Sequence, residues 1–413
     1  PPPCRAAGRR PCERCDYAYS SRNTLPTPTR ASMWHHCVAV ASAALVIATA
    51  ATVTSMPLPT VLRDALLPTA RDVARARAHF AELPSPWVAP MRRVPVVIVP
   101  SFIGSRIYAT LTDAEARAWY CFRNAEQYLL WAGTDAVFPL EKNCFLYNMA
   151  FDGYHNATYT QRRGVHTTVH AHDSVMNVEY LDDTHYLAVW SAMVDVLVDR
   201  YGYQRDINIV AANYDWRAGP DAWTRDDFHR WRRLVEHTYD GNGNTPCAFV
   251  SLSMGGPVAA TFFAAQPQWW LDKYVASFTS LSGSFGGAIW GPAVQTIADS
   301  EVAYDFWNAD TLRSSVNRWG SLMWMYPTPQ AFGNDTVVLT SAERQYTVRD
   351  AEQLVADAVV PAADARTNGT DALRVWRNVQ RWRVARAPRV ATHCVYGTNM
   401  TTVVSAHVPG ARA

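Results

Sequence analysis

The segment Cys247-Ala-Phe-Val-Ser-Leu-Ser-Met-Gly-Gly256 decides the fold. Its first residues, Cys247 to Ser251, suit a short buried strand, and Pro257 to Ala265 reads as a helix. Between them lies Ser251-Leu-Ser253-Met-Gly255, a variant of the G-x-S-x-G pattern of a nucleophile elbow. Such an elbow is a sharp turn that lifts a serine hydroxyl above the end of a sheet. Small residues are needed two places before and after the serine, because the turn brings neighbouring backbone close. Ser251 and Gly255 meet that need, although Ser251 is bulkier than the usual glycine. The helix that follows points its first N–H groups toward developing negative charge. Ser253 is therefore the candidate nucleophile, and the Met254 N–H a candidate oxyanion donor. An ordinary strand–turn–helix with a capping serine carries the same short pattern, so the surrounding sequence has to separate the two.

That sequence favours the elbow. Pro95-Val-Val-Ile-Val-Pro100 is a β-branched run between prolines, as expected of a strand buried on both faces of a parallel sheet. It leads into a turn over Ser101–Ser105 containing Gly104, a suitable place for a second oxyanion N–H from Phe102, or else from Ile103. Further along, the pattern predicts a helix over 175–202 ending at Gly202, a strand near 207–212, a helix over 221–240, and strands over 274–281 and 389–396. A helix is also expected over 63–83. Residues 119–150 read as aromatic and irregular, and 284–385 as long and mixed. Strands alternating with helices define an α/β protein with a mostly parallel sheet. There is no internal repeat and no Gly-rich phosphate loop.

The chain has 413 residues, 49% of them hydrophobic, with 38 Lys+Arg against 36 Asp+Glu and a net charge of +2. This excludes disorder, collagen and a long coiled coil, and gives no support for a nucleic-acid partner. Tryptophan is abundant, at 16 residues, which suits a Trp-rich core, a large apolar pocket or a lipid interface. No Asp, Glu, Lys or Arg occurs between Arg30 and Arg63, and Val38–Ile47 is an apolar run followed by Ala48-Thr-Ala50. Residues 33–60 thus read as a signal peptide beginning at Met33, or as an uncleaved signal anchor. Residues 1–32 read as a disordered upstream extension or linker, and 61–413 as the folded domain. Four sequons fit a secretory route and make Asn156, Asn334, Asn368 and Asn399 candidate glycosylation sites. Cys12-x-x-Cys15 has no second ligand pair, so no metal site is expected. Cys121 and Cys144 enclose an aromatic-rich stretch that a disulfide would close in an oxidising compartment.

Taken in order, these segments resemble the lecithin:cholesterol acyltransferase and lysosomal phospholipase A family. Pro95–Ser105 resembles that family's opening strand and loop, and Trp119-Tyr-Cys121 with Cys144 its disulfide-closed lid. Val178-Glu-Tyr-Leu-Asp182, Tyr214-Asp-Trp-Arg217, Ser253-Met-Gly255, Gln266-Pro-Gln-Trp269, Leu281–Gly287, Tyr346–Asp350 and His393-Cys-Val-Tyr-Gly397 resemble its later signatures. The resemblance covers about 95 to 400. It implies an α/β-hydrolase fold with a lid at about 119–150 and cap segments at about 150–180 and 285–385. It also implies attack by Ser253 on a phospholipid acyl ester, with transfer to a sterol, another alcohol or water. Met254 and Phe102 would hold the oxyanion, with no metal or organic cofactor. The implied partners are phospholipid and sterol substrates and a membrane or lipoprotein surface. Trp119, Tyr120, Trp131 and Phe138 would be lid residues, and Tyr214–Arg217 a structural ion pair and packing cluster.

The chain departs from the family at Leu252, where histidine is usual, and at Ser101, where glycine is usual. The family's triad acid and histidine follow the His393–Gly397 signature, but residues 372–413 contain no Asp or Glu and 398–413 one histidine, His407. Asp335 and His393 read as structural residues. This leads to the expectation of a C-terminally truncated product. Still open are a catalytically inactive lipid-binding relative and substitution by His407 with a remote acid. Cys394 would be half of a second disulfide with its partner beyond the chain, and Cys247 a buried thiol.

Overall fold

A computed structural model describes residues 93–133, 141–169, 174–185, 187–296, 309–341, 343–359, 370–384, 386–398 and 405–407. The expected leader at 33–60, the helix at 63–83, Phe138, Asn368 and Asn399 lie outside the described residues. Among the described residues, the central sheet has five strands in the order β12–β9–β8–β1–β7. These are β1 (Val96–Val99), β7 (Ile209–Ala211), β8 (Cys247–Leu252), β9 (Val275–Leu281) and β12 (Thr392–Val395). Every pairing in it is parallel.

Alternation along β1 feeds two separate cores. Val97 and Val99 join Phe249, Phe278, Val258 and Phe262 on one face. Val96 and Ile98 join Ile209, Trp190 and Val194 on the other. A parallel strand covered on both faces has to be apolar throughout, which is why Pro95–Pro100 reads as an uninterrupted β-branched run. Much of the Trp content is core: Trp190, Trp216, Trp223, Trp231 and Trp270 are fully buried. Phe262 alone makes ring contacts with Phe228, Trp231 and Trp270 at 5.3–5.7 Å between centroids.

A second sheet grows out of the loop after β1. It contains β2 (Ile107–Leu111), β3 (Ala125–Trp131) and β6 (Val165–Thr168) in the order β3–β2–β6. The hairpin of β4 (Phe151–His155) and β5 (Thr158–Gln161) lies between β3 and β6 in sequence. Its turn places Asn156 and Ala157 at φ 47° and 61°. A third sheet joins β10 (Val337–Thr340), β11 (Gln345–Thr347) and β13 (Ala406–His407).

Three sequence expectations change. Residues 119–150 are not irregular throughout: they contain β3 and the helix Lys142–Met149. The stretch 221–240 divides at Asp227 into Pro220–Asp226 and Phe228–Gly241. The expected helix over 175–202 is broken into Met176–Glu179 and Ser191–Tyr201. Arg106, buried on the loop before β2, donates to the carbonyls of Tyr180 and Asp182 at 2.7 Å. The Asp182 carboxylate accepts the Leu187 N–H at 2.7 Å. These bonds offer the backbone an alternative to helical pairing and fix a corner there. The second helix still ends where expected, with Gly202 left-handed at φ 66°.

Among the described residues, no helix is long and apolar enough to cross a membrane.

Candidate active site

Ser253 lies between β8 and the helix Gly255–Ala264 with φ 51°, in the left-handed region that residues with a Cβ seldom adopt. Such a backbone persists only where its surroundings hold it. The Ser253 N–H donates to the Leu281 carbonyl at the end of β9 at 2.9 Å. Its carbonyl accepts from Gly256 at 3.0 Å and from Ser284 at 3.3 Å. Gly255 has to be glycine, since a Cβ there would lie 2.5 Å from the carbonyl oxygens of both Val99 and Pro100. The helix start is thereby pressed against the end of β1.

The position two before Ser253 is tolerant of a side chain, but at a cost. Ser251 is fully buried and in register with Ser280 of β9. Neither hydroxyl has a hydrogen-bond partner, and Ser284 Oγ has none either. Each such buried group forfeits about 1–3 kcal/mol of solvation.

The loop after β1 approaches the same sheet end and is also strained. Ile103, a β-branched residue, has φ 54°. Its carbonyl accepts from Trp131 Nε1 at 2.9 Å, and the Gly104 N–H closes the turn onto the Ser101 carbonyl at 3.1 Å. The Phe102 ring meets the edges of Trp216 and Trp319, with centroids at 5.3 and 6.2 Å.

Tyr214–Arg217 does contain the expected ion pair, and it does more than pack. Arg217, fully buried, binds Asp215 through Nε and Nη2 at 2.9 and 2.6 Å. It also donates to the Met149 carbonyl and the Thr167 hydroxyl, reaching both flanks of the β4–β5 hairpin. Tyr214 donates to the Pro100 carbonyl at 2.8 Å, and Trp216 Nε1 to the Ser105 carbonyl at 2.9 Å. The tetrapeptide therefore grips both ends of the loop that carries Phe102. Sequence reasoning missed this role. The available signal was a Tyr and a Trp two residues apart, each of which needs a polar partner when buried.

The Cys121–Cys144 disulfide is present and ties the segment before β3 to the helix Lys142–Met149. The lid aromatics divide: Trp119 and Phe122 are exposed, whereas Trp131 packs on Phe145 and Trp216. Asn156 and Asn334 are exposed. Cys247 is a free buried thiol, pushed up to about 12 by burial, and Cys394 is free and exposed. Among the described residues, no group of three or more His, Cys, Asp or Glu side chains is placed to hold a metal.

The candidate triad partners are not brought to the serine. Among the described residues, no hydrogen bond joins the Ser253 hydroxyl to a histidine or carboxylate. Asp335 is highly exposed and paired with Arg349. His393 is exposed on β12, beside Thr279 of β9. His407 is in β13, in register with Thr340 in the third sheet.

A serine at positive φ between a parallel strand and a helix, beneath a loop from the adjoining strand, defines an α/β-hydrolase-like fold. Within that class the chain belongs to the lecithin:cholesterol acyltransferase family, whose model matches residues 127–381. It is similar to the phosphatidylcholine-sterol acyltransferase of Gallus gallus, 28% identical over 314 residues, covering 75% of this chain and 72% of that one. The lysosomal phospholipase A and acyltransferase of Canis lupus familiaris is 27% identical over 327 residues, covering 78% and 76%. The human phosphatidylcholine-sterol acyltransferase is 26% identical over 322 residues, covering 75% and 68%.

Proposed function

We propose that the protein is a lipid acyltransferase and phospholipase A that works through an acyl-serine intermediate. The observation that carries this reading is the positive-φ elbow at Ser253, held by the ends of β1 and β9. In the first step Ser253 Oγ bonds to the acyl carbonyl carbon of a phospholipid. The ester C–O bond then breaks, and the serine proton ends on the departing lysophospholipid hydroxyl. In the second step a sterol, another alcohol or water attacks the acyl-serine, restoring the Ser253 hydroxyl. The N–H groups of Met254 and Phe102 face the negative charge of each tetrahedral intermediate, aided by the helix that starts at Gly255.

Family membership and the acyltransferase names of its relatives support the lipid substrate. The secretory route, with glycans on Asn156, Asn334, Asn368 and Asn399, belongs to the same reading, and the disulfide fits an oxidising compartment. A second reading, an inactive lipid-binding protein, is favoured by the lack of a base bonded to Ser253 among the described residues. A fluorophosphonate lipid probe separates the two. Labelling that disappears in Ser253→Ala is expected; no Ser253-dependent labelling overturns the catalytic reading.

A further inference from the structure

Away from the elbow, four polar side chains from three distant segments meet at hairpin β4–β5. Tyr154 and Tyr159 face each other across the hairpin, Asp221 lies in the helix Pro220–Asp226, and Asn378 in the helix Thr370–Val379. The buried Asp221 carboxylate accepts from Tyr154 at 2.6 Å, Asn378 at 2.8 Å and Tyr159 at 3.3 Å. Asn378 also donates to the Tyr154 hydroxyl. Gly219 and Gly320 leave the space that the Tyr159 hydroxyl fills, since a Cβ on either would strike it.

Among the described residues, no cation pairs with Asp221, and the charged groups on the packed elements are engaged elsewhere. Arg225, on the same helix, binds Asp226 and the Ala157 carbonyl at the hairpin turn. Asp371 takes the Tyr154 N–H at 3.2 Å and pairs with Arg374 at 2.7 Å and Arg318 at 3.9 Å. Arg377 pairs with Glu352, and Asp152 of β4 with Arg162. An ionised Asp221 is thus met by neutral donors alone, and desolvation raises its pKa above the usual 3.8. Burial pushes both phenols up as well, so within the cluster only Asp221 changes charge in the acid range.

The segment 214–221 fastens this hairpin and the oxyanion loop to one piece of backbone. Tyr214 and Trp216 hold the loop that carries Phe102, at the Pro100 and Ser105 carbonyls. Arg217 lies over the ring of Phe151 in β4 at 4.8 Å, and Asp221 takes the two phenols.

We propose that Asp221 is a pH-responsive latch: neutral, it keeps hairpin β4–β5 docked; ionised, it loosens the hairpin and with it the hold on the Phe102 loop. The consequence for acylation rests on the reading above, whereas the latch itself does not. A buried carboxylate without a cation is costly, and opening the hairpin admits water that relieves the cost. The docked form holds the proton more tightly than the open form. Docking is therefore strongest at low pH and weakens as pH rises through the higher docked value.

The test is amide hydrogen exchange of the full chain, read by peptide mass spectrometry between about pH 4 and 7 and corrected for intrinsic exchange. In the wild type, exchange of peptides from 151–161 should rise about threefold or more with pH, while β8 and β9 stay protected. Asp221→Asn keeps an acceptor oxygen but cannot ionise, so its profile should be flat. Asn378→Ala removes a donor to the carboxylate and should open the hairpin more at the high end, where the acceptor is charged. This second variant decides if circular dichroism shows Asp221→Asn unfolded. Fluorophosphonate labelling of Ser253, taken as the ratio of wild type to Asp221→Asn, should fall over the same window. Wild-type hairpin exchange that is flat or slows with pH overturns the proposal, as does a pH response retained in Asp221→Asn. A constant labelling ratio while the hairpin opens also overturns it, because the Phe102 loop is then uncoupled. Absence of Ser253 labelling at every pH defeats the catalytic reading instead, and the exchange profile still decides the latch.

Discussion

The hydroxyl of Tyr214 donates to the carbonyl of Pro100 at 2.8 Å, across 114 residues of sequence and with Tyr214 fully buried. This bond joins the strand end that presses on Gly255 to the tetrapeptide that binds the segments flanking the β4–β5 hairpin through Arg217. Replacing Tyr214 by Phe removes the donor and leaves a buried carbonyl unpaired. Tyr214→Phe should lose about 1–3 kcal/mol of stability in urea unfolding. It should also slow fluorophosphonate labelling of Ser253, because the Phe102 loop loses an anchor. Unchanged labelling in a destabilised protein would restrict the bond to a structural role.

Gly255→Ala tests the close approach of the elbow to β1. The added methyl would sit 2.5 Å from two backbone oxygens, which cannot move independently of the sheet. Destabilisation of about 1–3 kcal/mol and loss of Ser253 labelling are expected. A variant with native Tm and labelling would show that the helix can shift freely, contrary to the packing described.

The Cys121–Cys144 disulfide spans a sequence separation of 23 residues. Chain-entropy arguments put its contribution at about 3 kcal/mol. The double variant Cys121→Ser, Cys144→Ser should therefore have a lower Tm under oxidising conditions. Under reducing conditions the wild type should move toward it. A Tm unaffected by reductant in the wild type would refute this.

Asp221 predicts a pH dependence. Its buried carboxylate accepts from Tyr154 at 2.6 Å, Asn378 at 2.8 Å and Tyr159 at 3.3 Å. Desolvation raises its pKa above the usual 3.8, and the hydrogen bonds only partly oppose this. The folded state thus holds the proton more tightly than the unfolded state. Stability from this group is fully present below pH 3.8 and is lost as pH rises through the higher folded value. Relative to Asp221→Asn, wild-type stability should fall over that window and then level off. A wild-type advantage that grows with pH there would reverse the assignment.

What was legible in the sequence was local. The elbow announces itself because Ser253, Gly255 and the flanking strand and helix lie within one short segment. The apolar run Val96–Val99 announces a strand covered on both faces. The break between Glu179 and Ser191 was not legible, because Arg106 makes it from more than 70 residues away. The grip of Tyr214 and Trp216 on the Pro100–Ser105 loop was hidden for the same reason. Their short motif names the donors but not the carbonyls that receive them. Exposure also separates what composition could not: Trp119 and Trp131 belong to one aromatic stretch, yet one faces solvent and the other packs on Trp216 and donates to the Ile103 carbonyl in the loop that carries Phe102.

The central claim is that Ser253 becomes acylated by phospholipid. The direct measurement is peptide mass spectrometry of the protein quenched after mixing with phosphatidylcholine vesicles. The account predicts an added acyl group on Ser253, absent from Ser253→Ala and shortened when shorter-chain phosphatidylcholine is used. Lysophospholipid released with no acyl group on Ser253, or release that persists in Ser253→Ala, would contradict it.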